Sequence, residues 1–484
     1  MASKRRVAVV GARLTAGLAG LVAVVAAVGG LAIVSWPGSI AATPSTLVTP
    51  VASDQVRVCP GPLLTLAEDS SQADAATSVG PFSSGTAARS AETNGSDVAV
   101  ESTALSAVDN AQEGRDGAPL MLSVPVEPGA TAAPLVSGAQ SQTATSETVG
   151  GLAAAACTEA SSDSWLVSGS TDVGRTSLVL LSNPTTVVAS VDLTVYGETG
   201  QVDAPGSTGI LVQPGSQRIV SLAGLAPNLR SPVVHVTATG GQVAAALQQS
   251  LIRGIQPGGV DLTGPTTMPA VNQTIPGVVV GQLGAEASVD ADAVSDDTPS
   301  VRILVPGDSP AVVSVGAQSE DGASTGTSLE VEIQPGVATE VPLSGIAAGN
   351  YTIKLASDQP LVAAAVTTTA GSVSADFSWS SAAGSMAGDF LFSVAGGPAP
   401  VLHLANTAGS VADLTLTADG AADIQVSVPA GQSAVVLLPA AGSYLVSGGD
   451  AIAAAVGYTG DGLSASYPVN PIGPLASAIP VYSH

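Results

Sequence analysis

The sequence predicts a mainly β protein: tandem immunoglobulin-like β-sandwich repeats behind one N-terminal transmembrane helix, with a β-propeller as the alternative arrangement. Three observations carry this. A short hydrophobic run reaches a Pro-Gly or Ala-Gly corner four times, at Val126–Gly129, Val212–Gly215, Ile333–Gly336 and Val428–Gly431. Each corner is followed 22 to 29 residues later by an alanine run, in GLAAAAC from Gly151, QVAAALQ from Gln242, LVAAAVT from Leu361 and AIAAAVG from Ala451. A fixed-order repeat of this kind means one small structural unit copied along the chain. Composition agrees: 55 Gly and 33 Pro against 13 Lys plus Arg favour turns and strands over salt-bridged helices, and only 3% aromatic residues leave Val, Leu, Ile and Ala to build the cores.

Taken in order, residues 1–13 form a basic cytoplasmic tail, carrying Lys4, Arg5, Arg6 and Arg13. Residues 14–36 form the transmembrane anchor or uncleaved signal. Leu14 to Val34 is a charge-free run of 21 residues, which at ~1.5 Å per residue spans about 31 Å, the thickness of a bilayer core. Trp36 and Pro37 then supply an interfacial aromatic and a helix stop. The run exceeds a usual signal-peptide core, which favours an anchor; Ser39-Ile40-Ala41 and Ile40-Ala41-Ala42 leave cleavage open. The cations on the N-terminal side orient that end inside, so the expected localisation is single-pass in the cytoplasmic membrane with the bulk of the chain outside.

The first β-repeat is expected over 54–160, with a disordered insert at 66–118 that is rich in Ser, Ala, Thr, Gly, Asp and Glu and too poor in apolar residues to offset its ordering entropy. The second repeat covers 163–256. There Val191, Leu193 and Val195 alternate with Asp192, Thr194 and Tyr196, and further strands are expected at Ser177–Ser182, Thr208–Gln213, Gln217–Leu222 and Gln242–Leu251. A linker follows at 257–300, then the third repeat at 301–370, a linker at 371–400, the fourth repeat at 401–460 and a C-terminal segment at 461–484. At each corner, Pro presets φ for the second turn position and Gly accepts the positive φ of the third. The alanine runs are read as strands passing close to a facing sheet; a helix competes best over Gln242–Ile252, because Ala is the strongest helix former.

The chemistry is sparse. The formal charge is −25, with 38 acidic residues, which phosphate backbones repel; nucleic acid is excluded as a partner. Cys59 and Cys157 both lie on the exported side, where a pair of cysteines forms a disulfide, here joining the opening and closing strands of one repeat. The three histidines, His235, His403 and His484, bring no other ligands within motif spacing, so neither metal nor cofactor is expected. The acids Asp290, Asp292, Asp296 and Asp297 fail a calcium-loop pattern at Val294, Ser295 and Val301. No nucleophile elbow, Walker loop or zinc-protease motif is present. The chain is expected not to be an enzyme. Trp379 is the candidate for stacking on a ligand, against the plainer reading of Trp165 and Trp379 as packing residues.

The hydrophobic anchor, the paired cysteines, the Pro-Gly corners and the recurring V-A-A-A strands together resemble a membrane-anchored secreted family of unknown function found in actinobacteria. The resemblance covers nearly the whole chain and transfers no catalytic residues. Genes of such proteins tend to lie near envelope glycosyltransferase genes, which implies a cell-envelope role. The expected function is therefore a non-catalytic scaffold or binding protein outside the membrane, accessory to a membrane glycosyltransferase, whose partners are the membrane and an envelope protein or glycan. The alternative is a carbohydrate-binding or carbohydrate-processing protein acting on cell-wall glycans.

Overall fold

A computed structural model describes residues 45–48, 52–66, 76–90, 96–281, 298–322, 327–372, 374–439, 441–469 and 479–482. The expected tail and anchor lie outside these residues, as do most of the acidic stretch around Asp290 and His484. Among the described residues no helix is long and apolar enough to cross a membrane. The chain divides into two compact units. In the smaller, Ser45–Val48 pairs antiparallel with Ile479–Tyr482. The larger, Pro50–Ser477, is mainly β; its one described helix is the single turn Leu222–Leu225.

Three segments of the larger unit share one plan. In the second repeat, one sheet runs Asp163–Leu166, Val233–Gly240, Ala189–Gly197 and Gly200–Val202, and the other runs Ser216–Ser221, Arg175–Asn183, Ala244–Arg253 and Gln256–Thr263. The fourth has the same order, Phe390–Val394, Gly442–Ser447, Ala412–Ala418, Ile424–Val428 over Ser433–Leu437, Val401–Asn406, Ile452–Gly460, Leu463–Pro468, with the single strand Ile424–Val428 at the edge that Gly200–Val202 and Ile210–Val212 share in the second. The third has the same order, except that the 22-residue strand Gly349–Ala370 crosses from one sheet to the other and serves in both. Each module fills the space between its sheets with aliphatic side chains, such as Val191, Leu193, Val236 and Leu247 in the second. These are two-sheet modules rather than propeller blades.

All four corners are hydrogen-bonded turns. The N–H of Ala130, Ser216, Val337 and Gln432 donates to the carbonyl three residues back, and Gly129, Gly215, Gly336 and Gly431 hold φ between +65° and +87°. Glycine is the residue this geometry needs, which is why Ala430 can replace proline and nothing replaces Gly431.

The alanine runs are strands, not helices. In the later modules each run lies mid-sheet, with Ala246, Ala363 and Ala454 opposite Leu180, Ile303 and Leu404. The three leading alanines of each run are buried, and the fourth alanine of the first run, Ala156, is partly buried. Alternate residues point opposite ways. Ala363 and Ala365 enter their own module's core, whereas Ala364 packs with Trp165, Val167 and Val233 of the module before it. The small side chains thus serve both the facing sheet, as the sequence reading expected, and a close approach to the neighbouring module, which it did not foresee.

The first repeat departs from the plan. Its alanine run, in Gly150–Ala156, forms a hairpin with Leu135–Thr145, and Gln55–Cys59 pairs instead with Leu120–Val124. The segment expected to be disordered holds strands at Ala76–Ser78, Ser83–Arg89 and Glu101–Ala104 in its described part. Composition misled here because these strands need no core of their own. Ser83–Arg89 and Glu101–Ala104 extend sheets already present, Ala76–Ser78 pairs with Leu64–Leu66, and polar clamps hold the segment: Arg218 Nε donates to Asp109 Oδ2 at 2.7 Å, and Arg89 Nη2 to Asp419 Oδ1 at 2.7 Å. The expected linkers are also strands: 257–300 contains most of Gln256–Thr263 and all of Ala270–Val280, 371–400 contains Ala375–Ser381 and Phe390–Val394, and 461–484 contains Leu463–Pro468. Each repeat therefore begins earlier and ends later than its corner-to-alanine signature.

Candidate functional site

The last strand of each later module and the alanine strand of the first meet at a hub. Gly150–Ala156, Gln256–Thr263, Ala375–Ser381 and Leu463–Pro468 pack against one another in a closed ring. Register makes the equivalence plain. Val260, Asp376 and Ser464 pair with Ser250, Thr369 and Thr459, each four residues past the third alanine of its run.

Of these equivalent positions only the third module carries a carboxylate, and it reaches all four. Asp376 Oδ2 accepts from Leu152 N at 2.8 Å and Ser464 N at 3.2 Å; Oδ1 accepts from Val260 N at 3.1 Å and Phe377 N at 3.0 Å. The side chain has no solvent exposure. Burial pushes its pKa well above the usual carboxylate range, against the four N–H bonds that favour the charged form. Beside it, Asp261 is equally buried and pushed up to about 7 by desolvation, while the N–H of Trp379 at 2.7 Å, the N–H of Leu262 and the Thr263 hydroxyl hold it down. Its Oδ1 has no hydrogen-bond partner.

A second arrangement lies where the second and third modules meet. Arg302, 2% exposed, forms an ion pair with Glu340 through Nη2 at 2.7 Å and donates Nη1 to the carbonyls of Gly169 and Pro232 at 2.9 and 2.8 Å. Its guanidinium carbon stands 4.4 Å above the Trp379 ring, a cation–π contact. Burial raises the Glu340 pKa, but the Arg302 charge and hydrogen bond outweigh it and leave the carboxyl below its ordinary value. Over this floor opens a cleft of about 60 Å³, also lined by Arg175, Arg230, Arg253 and Gln249.

The residues singled out from sequence fall as follows. Cys59 and Cys157 are disulfide-linked, at the end of Gln55–Cys59 and just past Gly150–Ala156. Trp379 lies in the cleft floor, 2% exposed, one face taken by Arg302 and its Nε1–H given to Gln249 Oε1 at 2.8 Å. Trp165 stacks on His235 at 3.9 Å, and His235 Nε2 lies 3.0 Å from Asp163. His403 is buried in the fourth module with Nδ1 2.5 Å from Glu320 of the third, whose other oxygen accepts from Thr352 and from the N–H of Gly277. Trp379, His235 and His403 stand in three separate places. Among the described residues, no three His, Cys, Asp or Glu side chains form a group able to hold a metal.

The hub and the cleft were missed as sites. One signal existed: Asp261, Arg302 and Asp376 are each a lone charge in an otherwise apolar or small-residue run, in Val260-Asp261-Leu262, Val301-Arg302-Ile303 and Ala375-Asp376-Phe377. A charge in a fully buried strand must be paired or hydrogen-bonded.

A solved structure from Thermotoga maritima, "Crystal Structure of Thermotoga maritima 1070", shares 22% identity over 23% of this chain and 92% of its own, with a TM-score of 0.20. Another, "Biofilm associated protein - BSP domain", shares 9% identity over 91% of this chain and 99% of its own, with a TM-score of 0.13. Neither alignment superposes well enough to carry an argument. No curated protein matches the chain. A family model does match, over residues 108–439, which takes in every corner and the hub strands of three modules. The chain belongs to that family, DUF5719, a family of unknown function.

Proposed function

We propose that this protein is a non-catalytic scaffold or binding protein of the cell envelope, built of immunoglobulin-like sandwiches and held outside the cytoplasmic membrane by its N-terminal segment. The actinobacterial setting and a membrane glycosyltransferase as partner belong to the same reading. The observation that carries it is the use made of buried charge. Asp376 is spent on four backbone donors, Arg302 on Glu340 and two carbonyls, and His403 on Glu320. Catalytic groups are held near a cavity with their reactive atoms available to substrate. These are consumed in fixing one module against the next, as a rigid presenting surface requires.

The test is crosslinking in intact cells followed by detergent extraction. A membrane enzyme of envelope synthesis should co-purify in stoichiometric amount; recovery of the chain alone, together with turnover of a wall glycan, would reverse the assignment. The second reading, a glycan-binding or glycan-processing protein, draws on the position of Trp379 beside an open cleft. Glycan-array binding that disappears in a folded Trp379→Ala variant would select it.

A further inference from the structure

We propose that the outer edge of strand Ser433–Leu437, in the fourth module, is a strand-addition site that receives an extended, aliphatic segment of a partner polypeptide. This deepens the binding reading above and rests on it for the existence of a partner.

The three later modules carry the same edge, and two of them close it. Ser216–Ser221, Thr339–Pro342 and Ser433–Leu437 each follow a corner and end one sheet. Two residues past the corner glycine stand Gln217, Ala338 and Ser433. The Gln217 N–H leaves the sheet and donates to Ser106 O at 2.7 Å; the Ala338 N–H donates to Gly197 O at 3.0 Å. Further along the second module's edge, the Ile219 N–H donates to Asp109 Oδ2 at 2.9 Å. The third module sets Pro342, which has no N–H, four residues beyond Ala338 and therefore on the same outward side.

The fourth module's edge stays open among the described residues. Asn406 N–H donates to Gln432 O at 2.9 Å and Leu438 N–H to Pro400 O at 3.0 Å. Residues 434 and 436 therefore bond inward to Val401–Asn406, and Ser433, Val435 and Leu437 turn both N–H and C=O outward. No described group bonds these outward atoms, and Ser433 Oγ is likewise buried without a partner. Only the corner itself is covered, where Lys354 Nζ donates to Gly431 O.

Side chains sharpen the contrast. Sheet edges are ordinarily blunted by lysine, proline, a bulge or a covering segment. Ser433-Ala434-Val435-Val436-Leu437 holds no charge and no proline. Val436 enters the module core, while Leu437, on the opposite face, is 76% exposed. Bare aliphatic edges of this kind pair with another strand.

The second module shows the form of the occupant. Ser106 lies beside Ser216 as a parallel bridge, its N–H given to Gly215 O at 3.0 Å, and its neighbour Leu105 is buried against Val58 and Ala244. One extended segment is enough to close the edge there. At the fourth module the same mode gives main-chain bonds to Ser433, Val435 and Leu437, and an aliphatic side chain of the partner covers Leu437.

Photo-crosslinking in intact cells of the native host tests this, with benzoylphenylalanine at Leu437 and, as a control, at Val411, which is 58% exposed in the same module. Leu437 should give an adduct with another protein and Val411 none. The crosslinked segment, made as a synthetic peptide, should bind the purified full chain in detergent and slow hydrogen exchange at Val435 and Leu437 at least tenfold. Val435→Pro removes an outward N–H that the fold does not use, and should weaken peptide binding at least tenfold. Should that variant not fold, Leu437→Lys, a change of an exposed side chain, should weaken it at least threefold. An adduct with this chain or a second copy of it, no adduct, or adducts from both positions alike overturns the proposal. So does slow exchange at Val435 and Leu437 before peptide is added, or equal binding by a folded variant. Co-purification of a membrane enzyme held by another face is untouched by such a failure, so the two readings separate.

Discussion

The α-carbon of Gly151 faces the carboxylate of Asp376 so closely that a β-carbon there would stand 2.5 Å from Oδ1. Gly259 meets the same carboxylate from the second module, where a β-carbon would lie 2.9 Å from Oδ1 and 2.6 Å from the Phe377 ring. Both hold φ near +130°, which an alanine resists even before the collision. Gly151→Ala and Gly259→Ala should each lower stability by about 2–4 kcal/mol, through strain and displacement of the carboxylate. Asp376→Asn should cost at least as much, since one carboxylate oxygen becomes an NH2 group facing two N–H donors. Chemical denaturation measures all three; a loss under 1 kcal/mol in Asp376→Asn would show that the four-way bond is incidental.

The buried aspartates set a pH dependence with an unusual sign. An ordinary paired carboxylate has a lowered pKa and stabilises as pH rises. Asp261 is raised to about 7 in the folded state, so between roughly pH 4 and 7 the native protein holds a proton that the unfolded chain has released. Stability should therefore fall as pH rises through that window, with Asp376 adding in the same direction. Thermal melts from pH 4 to 8 should show the decline, and Asp261→Asn should flatten part of it. A stability that climbs steadily to pH 8 would contradict the assignment.

The disulfide closes a long loop, 98 residues in sequence separation. Gly138 lies so close that a β-carbon there would sit 2.8 Å from Cys157 Sγ and 2.6 Å from Leu122. Replacing both cysteines by alanine should remove about 2–5 kcal/mol, with the larger part from the unfolded state. Peptide mapping with and without reductant should recover the Cys59–Cys157 peptide from protein isolated from its native host; free thiols there would count against the bridge.

Arg302 and Glu340 should behave as a coupled pair. Arg302→Met alone leaves a buried carboxylate uncompensated, and Glu340→Leu alone leaves a buried guanidinium; each should cost about 3–5 kcal/mol. The double variant should recover a substantial part. Strict additivity in the cycle would mean the two do not act together.

Much of the fold was legible because its signals are local. The glycines of the corners report a backbone angle, and the alternation from Val191 to Tyr196 reports a strand with one buried face. The module boundaries were not legible, since the strands that start and finish each module, such as Ala270–Val280 and Ala375–Ser381, lie outside the corner-to-alanine signature. The hub was hidden for a deeper reason. Asp376 finds its partners 224, 116 and 88 residues away in the chain, at backbone N–H groups that every residue but proline possesses. No side-chain pattern advertises a backbone donor. The cleft was concealed likewise, its arginines being spread from residue 175 to residue 302.

The hub also imposes an order on biosynthesis. Its donors at Leu152 and Val260 leave the ribosome well before Asp376, but the last, at Ser464, follows Asp376 by 88 residues. Until then a carboxylate bound for the dry centre of the protein lacks one of its ligands. A nascent chain would stay loosely assembled at its hub until Ser464 emerges, and one interrupted before that point would carry an open centre by which quality-control proteases can tell it from the finished molecule.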